Sequence, residues 1–285
     1  MQLQTGIQIG VLKEWDGQRS IVSHGRRRWV IHDDVRWVIE ALVSKKASVE
    51  DVVVEATNFA GHPILEERVI EIIEEFLKPN GLMLGHTSKV KNRSVDRIQW
   101  RVSLHLPKRI GFVERWAQNL FHRKSAAIIL VLMLLVRIPT WLQFSWKHLG
   151  SNTSLLTSSW AWIFIAIWFA SLVCHEFGHV VAARMRGTIV PAIGFGFYWG
   201  SPVFYADLND LWSISPMKRM SVNLAGVYVQ DIVISGLYLW NLVAPWGYVQ
   251  LAAISFDIFS LSNLNPLLKY DGYWILTDLF GTHNL

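Results

Sequence analysis

Four long apolar runs constrain this chain more than any other feature of its 285 residues. They cover Ala126 to Phe144, Trp160 to Ala183, about Val222 to Ala244 and about Gly247 to Leu264. About 20 apolar residues in helical form cross a bilayer's hydrocarbon core. A helix also satisfies its own backbone hydrogen bonds, which lipid cannot do for it. The second half of the chain is therefore expected to be membrane-embedded, in about four helical spans. The first run is interrupted by Arg137 and Pro139, and with the fourth it is the weaker of the signals. Most Lys, Arg, Asp and Glu lie in residues 1–124, so a soluble module is expected to precede the membrane module. A net charge of +5 invites a nucleic-acid reading. The basic residues instead cluster beside the apolar runs, as at a cytoplasmic membrane face, so the expected partner is the lipid bilayer and no nucleic acid.

The distribution of positive charge orients the spans. Arg115, Arg123 and Lys124 precede the first, and Arg184, Arg186, Lys218 and Arg219 lie between the second and third. The other side offers mainly Lys147 and the neutral turn at Ala244-Pro245-Trp246-Gly247. Both termini and the 184–221 loop are thus expected on the cytoplasmic side of a multi-pass cell-membrane protein. Trp141, Trp146, Trp160 and Trp246 fall where an aromatic belt would sit on the far face. The N-terminus lacks a basic segment followed by an apolar core, so no cleaved signal peptide is expected. The one cysteine, Cys174, excludes an intramolecular disulfide.

The first 95 residues have the grammar of a small α+β domain. Ile7 to Leu12, Arg19 to Ser23 and Arg27 to Ile31 read as strands, with turns at Asp16-Gly17 and His24-Gly25. Asp33 and Asp34 are candidate caps for a helix through Val43. Ser48 opens a second at SVED, and Leu65 to Lys78 form a third that stops at Pro79-Asn80-Gly81. Ile98 to Leu106 reads as a further strand. Lys108 to Lys124, with Phe112, Trp116, Leu120 and Phe121 on one side, reads as an interfacial amphipathic helix or a plain linker helix. The expected fold class is mainly α: a polytopic helical membrane domain in residues 125–285, preceded by a small winged-helix-like soluble domain in 1–95, with 96–124 joining them. The arrangement of hairpin, helix at 33–43, SVEDVVVEA and a last helix running into NGLM resembles the PqqD-type peptide chaperones. That resemblance implies leader-peptide binding by strand addition; a structural or regulatory domain fits the same pattern.

Chemistry concentrates in CHEFGH, residues 174–179. In H-E-x-x-H on a helix, residues four apart share a face, so His175 and His179 reach one ion while Glu176, offset by one residue, approaches water as a general base. Ionisable groups within a membrane helix are costly and default to function; a hydrogen-bonded histidine pair in the core is the bland alternative. A hydrolytic zinc site needs three protein ligands and an open position. Asp271, in NPLLKYDG, is the best third candidate, because Asn265-Pro266 break the fourth helix and broken helices at membrane depth line cavities. A capping role at the following helix is its alternative. By the orientation above, the second and fourth spans both run inward, bringing the histidine pair and Asp271 to one depth. Cys174, one residue from His175, is expected to be a buried small residue. The remaining histidines, His24, His32, His62, His86, His105, His122, His148 and His283, form no spacing motif.

These two motifs, in this order with a third span between them, resemble the site-2 protease family of intramembrane zinc metalloproteases, and the longer form NPLLKYDG is similar to bacterial peptide zinc metalloproteases. The resemblance covers about residues 110–285 and is most specific at SVNLAG and NPLLKYDGYWILTDLFGT. It implies one zinc ion held by His175, His179 and Asp271, Glu176 as the base, and Asn265 as a catalytic residue that stabilises the oxyanion or holds the substrate. The implied activity is endopeptidase cleavage of a peptide or membrane-associated protein, in maturation of a ribosomally made peptide. One departure is Gln230, four residues after Gly226, where the family often has a small residue or Asn. The resemblance also implies that PAIGFGFYWGSPVFYADL forms a β-hairpin over the site that pairs with unwound substrate; a membrane-dipping loop is the alternative. Two other readings compete: a non-catalytic zinc-binding membrane component for peptide delivery or export, which a closed fourth ligand would favour, and a zinc transporter, which would need ligands along a path through the bilayer.

Overall fold

A computed structural model describes residues 2–14, 17–24, 27–44, 48–87, 98–107, 111–143, 159–198 and 201–281. Asp16 and Gly25 of the expected turns, Trp146, Lys147 and His148 on the far face, and His283 lie outside the described residues. The chain divides into two compact units, Met1–Arg97 and Ile98–Leu285.

In the first unit, β1 (Ile7–Lys13), β2 (Gln18–His24) and β3 (Arg27–Ile31) form an antiparallel sheet in that order. Their period-2 alternation turns Leu12, Val22 and Ile31 inward. Helices α1 (Asp33–Ser44), α2 (Val49–Ala60) and α3 (Glu66–Glu71) follow, and α3 widens into a π-type turn over Ile72–Leu77. Ser48 and Asp51 cap α2 reciprocally, each side chain accepting the other's backbone N–H. Val38, Ile39, Val52, Val69, Leu77 and Leu82 close the core. Arg68 of α3 donates from Nε and Nη2 to Asp34 Oδ2 at 2.8 and 2.6 Å, joining α3 to the start of α1.

The second unit begins with β4 (Ile98–His105), so part of the stretch expected as a linker belongs to this unit's sheet. After α4 (Gly111–Phe121) come α5 (Arg123–Gln143) and α6 (Trp160–Met185), then β5 (Ala192–Tyr198), β6 (Ser201–Ala206), α7 (Pro216–Val243), α8 (Gly247–Ser262) and α9 (Asp271–Phe280). The expected β-hairpin forms from β5 and β6, with β4 paired on the other side of β5. Trp100 sits at φ 56° where β4 slips register against β5.

Helices α5, α6 and α7, of 21, 26 and 28 residues, are long and apolar enough to cross a membrane. The fourth apolar run forms only the 16 residues of α8, roughly 24 Å at the helical rise. Pro266 explains the stop, since it lacks an N–H and disfavours helical backbone at Asn265. The exterior suits lipid: α5 exposes Ile128, Leu130, Val131, Leu132, Leu134 and Leu135, a stripe that water would penalise.

Inside the helical unit lies an ionic cluster absent from the sequence-based expectations. Arg137 of α5 reaches Asp257 of α8 at 3.1 Å and Asp231 of α7 at 3.7 Å, and donates to Ser235 Oγ at 2.9 Å. Asp257 also accepts from Trp141 Nε1 at 3.2 Å and from the Tyr238 hydroxyl. Pro139 leaves α5 continuous. The arginine that interrupts the first apolar run is thus turned inward and paired, as charges in membrane helices are.

Candidate metal centre

The site is built where α6 presses against α7. A Cβ on Gly178 would lie 2.5 Å from the Ala225 carbonyl oxygen, so its missing side chain lets the two backbones approach. Across the same contact a Cβ on Gly226 would lie 2.8 Å from His175 Nε2 and closer still to the His179 ring. The imidazole pair lies against bare α7 backbone.

His175 and His179, both buried, are one helical turn apart with Nε2 atoms 3.0 Å from each other. His179 Nδ1 lies 2.9 Å from the Val222 carbonyl, and His175 Nδ1 3.0 Å from Gln230 Oε1. A carbonyl oxygen only accepts, so each Nδ1 carries a proton and each Nε2 faces inward. Asp271, at the first turn of α9, brings Oδ2 to 3.0 Å from His175 Nε2 and 3.4 Å from His179 Nε2. That oxygen is buried and, among the described residues, has no hydrogen-bond partner. With both rings neutral, as metal binding requires, three electron pairs converge on one point, an arrangement that repels itself unless a cation sits at the focus. Ligand atoms at about 2.0–2.2 Å from a tetrahedral zinc lie roughly 3.3–3.6 Å from one another, close to the separations here. The residues present therefore suit a divalent ion of the zinc type.

Glu176 belongs to the same group, its ligand atom within 4.8 Å of those of both histidines. The backbone of Ala206, at the end of β6, lies close to its carboxylate. The hairpin thus lies against the helix that carries the motif, and Phe204 meets Phe169 of α6 edge to face.

Asp271 does not cap α9: the cap position is Tyr270, with no side-chain hydrogen bond. Its placement comes from two attachments. Gly272 N–H donates to the Asn263 carbonyl at 2.9 Å, and Arg219 of α7 donates to Asp278 of α9 at 2.6 Å in a buried ion pair. The Asn265 side-chain oxygen accepts from Leu267 N–H at 2.9 Å, bracing its own turn. The amide that reaches the histidine support is Asn263, whose Nδ2 lies 3.4 Å from Gln230 Oε1. The sequence reading names neither Asn263 nor Asp278 and takes Arg219 only as one of the positive charges between the second and third spans, whereas it is buried and paired with Asp278. Cys174 is half-buried, on the same helix but outside the group of ligand atoms.

The fold and this centre define a helical, membrane-type domain with an H-E-x-x-H histidine–carboxylate cluster. In keeping with that class, the chain is 32% identical over 118 residues to the "Putative peptide zinc metalloprotease protein YydH" of Bacillus subtilis (strain 168). The match covers 40% of this chain and 47% of the relative, so the chain spans just under half of that protein's length. This similarity agrees with the resemblance to site-2 protease-type metalloproteases. No protein-family profile matches the chain, and no solved structure does.

Proposed function

We propose that the chain is a membrane-embedded zinc metalloendopeptidase in which His175, His179 and Asp271 hold one zinc ion and Glu176 is the general base. The observation that carries this reading is the convergence of two imidazole lone pairs and the buried Asp271 oxygen. When bound, zinc polarises a carbonyl and acidifies water. Glu176 takes the proton of the attacking water and passes it to the leaving amine. The neighbouring β6, at the edge of its sheet, offers backbone groups to an extended substrate. Asn265, braced within its turn, holds the substrate or its developing oxyanion through its amide nitrogen. The centre faces the cytoplasm, for which the basic residues flanking the spans are the support, and the 1–97 unit binds a leader peptide by strand addition.

The substrate is a peptide, for which the name of the Bacillus subtilis relative is the support. Incubating purified protein with peptides encoded beside its gene, and reading the products by mass spectrometry, tests the assignment. Cleavage by the wild type and none by Glu176→Gln is expected; equal cleavage by both removes Glu176 as the base. Glu176 lying among the ligand atoms favours a second reading, in which it closes the shell as a fourth ligand and the protein is a non-catalytic zinc-binding component for peptide delivery or export. Zinc affinity lost in Glu176→Gln would select that reading.

A further inference from the structure

Each candidate zinc ligand needs its lone pair aimed at one point, and for a histidine the other ring nitrogen decides this. His179 is set by main chain, the Val222 carbonyl. His175 is set by a side chain: Gln230 Oε1, 3.0 Å from Nδ1. Gln230 is fully buried, at 0% exposure, so substrate cannot reach its amide without displacing packed helix. Its orientation is also defended. Gln230 Nε2 faces Ser171 Oγ at 3.4 Å, and that hydroxyl donates to the Trp168 carbonyl at 2.7 Å, leaving its lone pairs for the amide. Asn263 Nδ2 approaches Oε1 at 3.4 Å from the other side. A flipped amide would point its N–H₂ at the His175 N–H and at the Asn263 N–H₂ together. Asn263 in turn accepts Gly272 N–H through its carbonyl at 2.9 Å, next to Asp271. One buried amide on α7 therefore touches the helix that carries the histidines and the segment that carries the aspartate.

Resting on the metal-centre reading above, we infer that Gln230 is a positioning residue: it holds His175 in the Nδ1–H tautomer and, through Asn263, ties the Asp271 turn to the histidine helix. It never contacts the ion or the substrate. An outer partner of this kind typically changes metal affinity by about 10–100-fold.

The test compares zinc affinity, by competition with a chromophoric chelator in detergent micelles, for the wild type and for Gln230→Leu, Gln230→Asn and Gln230→Glu. Leu keeps the volume but offers no acceptor, and Asn withdraws the oxygen by one methylene. Both are expected to weaken zinc about 10–100-fold. Glu keeps an acceptor in place and is expected to match or exceed the wild type, a rescue that loss of packing alone would not give. Should Leu fail to fold, Asn and Glu carry the comparison. Nitrogen NMR of metal-free, ¹⁵N-histidine-labelled protein reads the tautomer directly, with His175 expected as Nδ1–H in the wild type and mixed in the Asn variant. Wild-type affinity in both Leu and Asn variants, or loss in Glu equal to that in Leu, overturns the inference while leaving the metal centre standing. A wild type that binds no zinc overturns both.

Discussion

Glu176 follows His175 by one helical residue, so its side chain is turned about 100° from the ligand direction and toward the hairpin. Replacing it by Gln keeps the shape and removes the basicity. The expected outcome is full zinc binding with turnover lowered about 10²–10⁴-fold, read by metal analysis and peptide cleavage. Asp271→Ala should act in the opposite order: zinc is lost first, because two imidazoles alone leave the shell short of a charged ligand, and a chelator competition checks it. At this scale the histidine pair and its glutamate were legible from spacing, since four residues on a helix always share a face. Gln230 was legible as a residue but not in its role. Its position four residues after Gly226 leaves open whether it faces substrate or ligand, and only the approach of α6 to α7 puts its oxygen on His175 Nδ1.

Among elements, α7 organises the helical unit. It lies against the histidines through Gly226, against α9 through Arg219 and Asp278, and against α5 and α8 through Asp231 and Arg137. An alanine in an ordinary helix interior is favoured over glycine by about 1 kcal/mol. Gly226→Ala should instead displace the imidazoles and weaken zinc binding while helical circular dichroism is unchanged. Arg137→Met leaves Asp231 and Asp257 without their cation in an apolar setting. Breaking a buried pair in this way costs about 3–5 kcal/mol, expected as a lowered melting temperature in detergent. Three helices of membrane length were readable from hydropathy, whereas the β5–β6 hairpin was implied by the family resemblance, with a membrane-dipping loop as its alternative. The joining of β4 to that hairpin was not readable, because register and pairing depend on segments about 90 residues apart in the chain meeting in space.

At the scale of the whole molecule, the two units carry separate cores, and they should answer acid differently. In the first unit, burial alone would raise the Asp34 carboxyl's pKa, but hydrogen bonds from Arg68 and from Val35 N–H outweigh it and hold it below the ordinary value. A carboxylate depressed in the folded state stabilises above its unfolded pKa of about 3.9 and loses that contribution as pH falls through the folded value. Acid unfolding of residues 1–97 should therefore soften below that point, and Asp34→Asn should flatten this part of the profile. By itself the sequence determined what periodicity and composition can determine: apolar runs of membrane length, a charge-rich α+β segment before them, and a histidine pair on one helix face. Those follow from rules acting over a few residues. Only the tertiary structure decided that the buried Asp271 oxygen meets the pair and that Arg137 is paired with two aspartates inside the helical unit. Each depends on which helix faces meet, and local sequence carries no record of that.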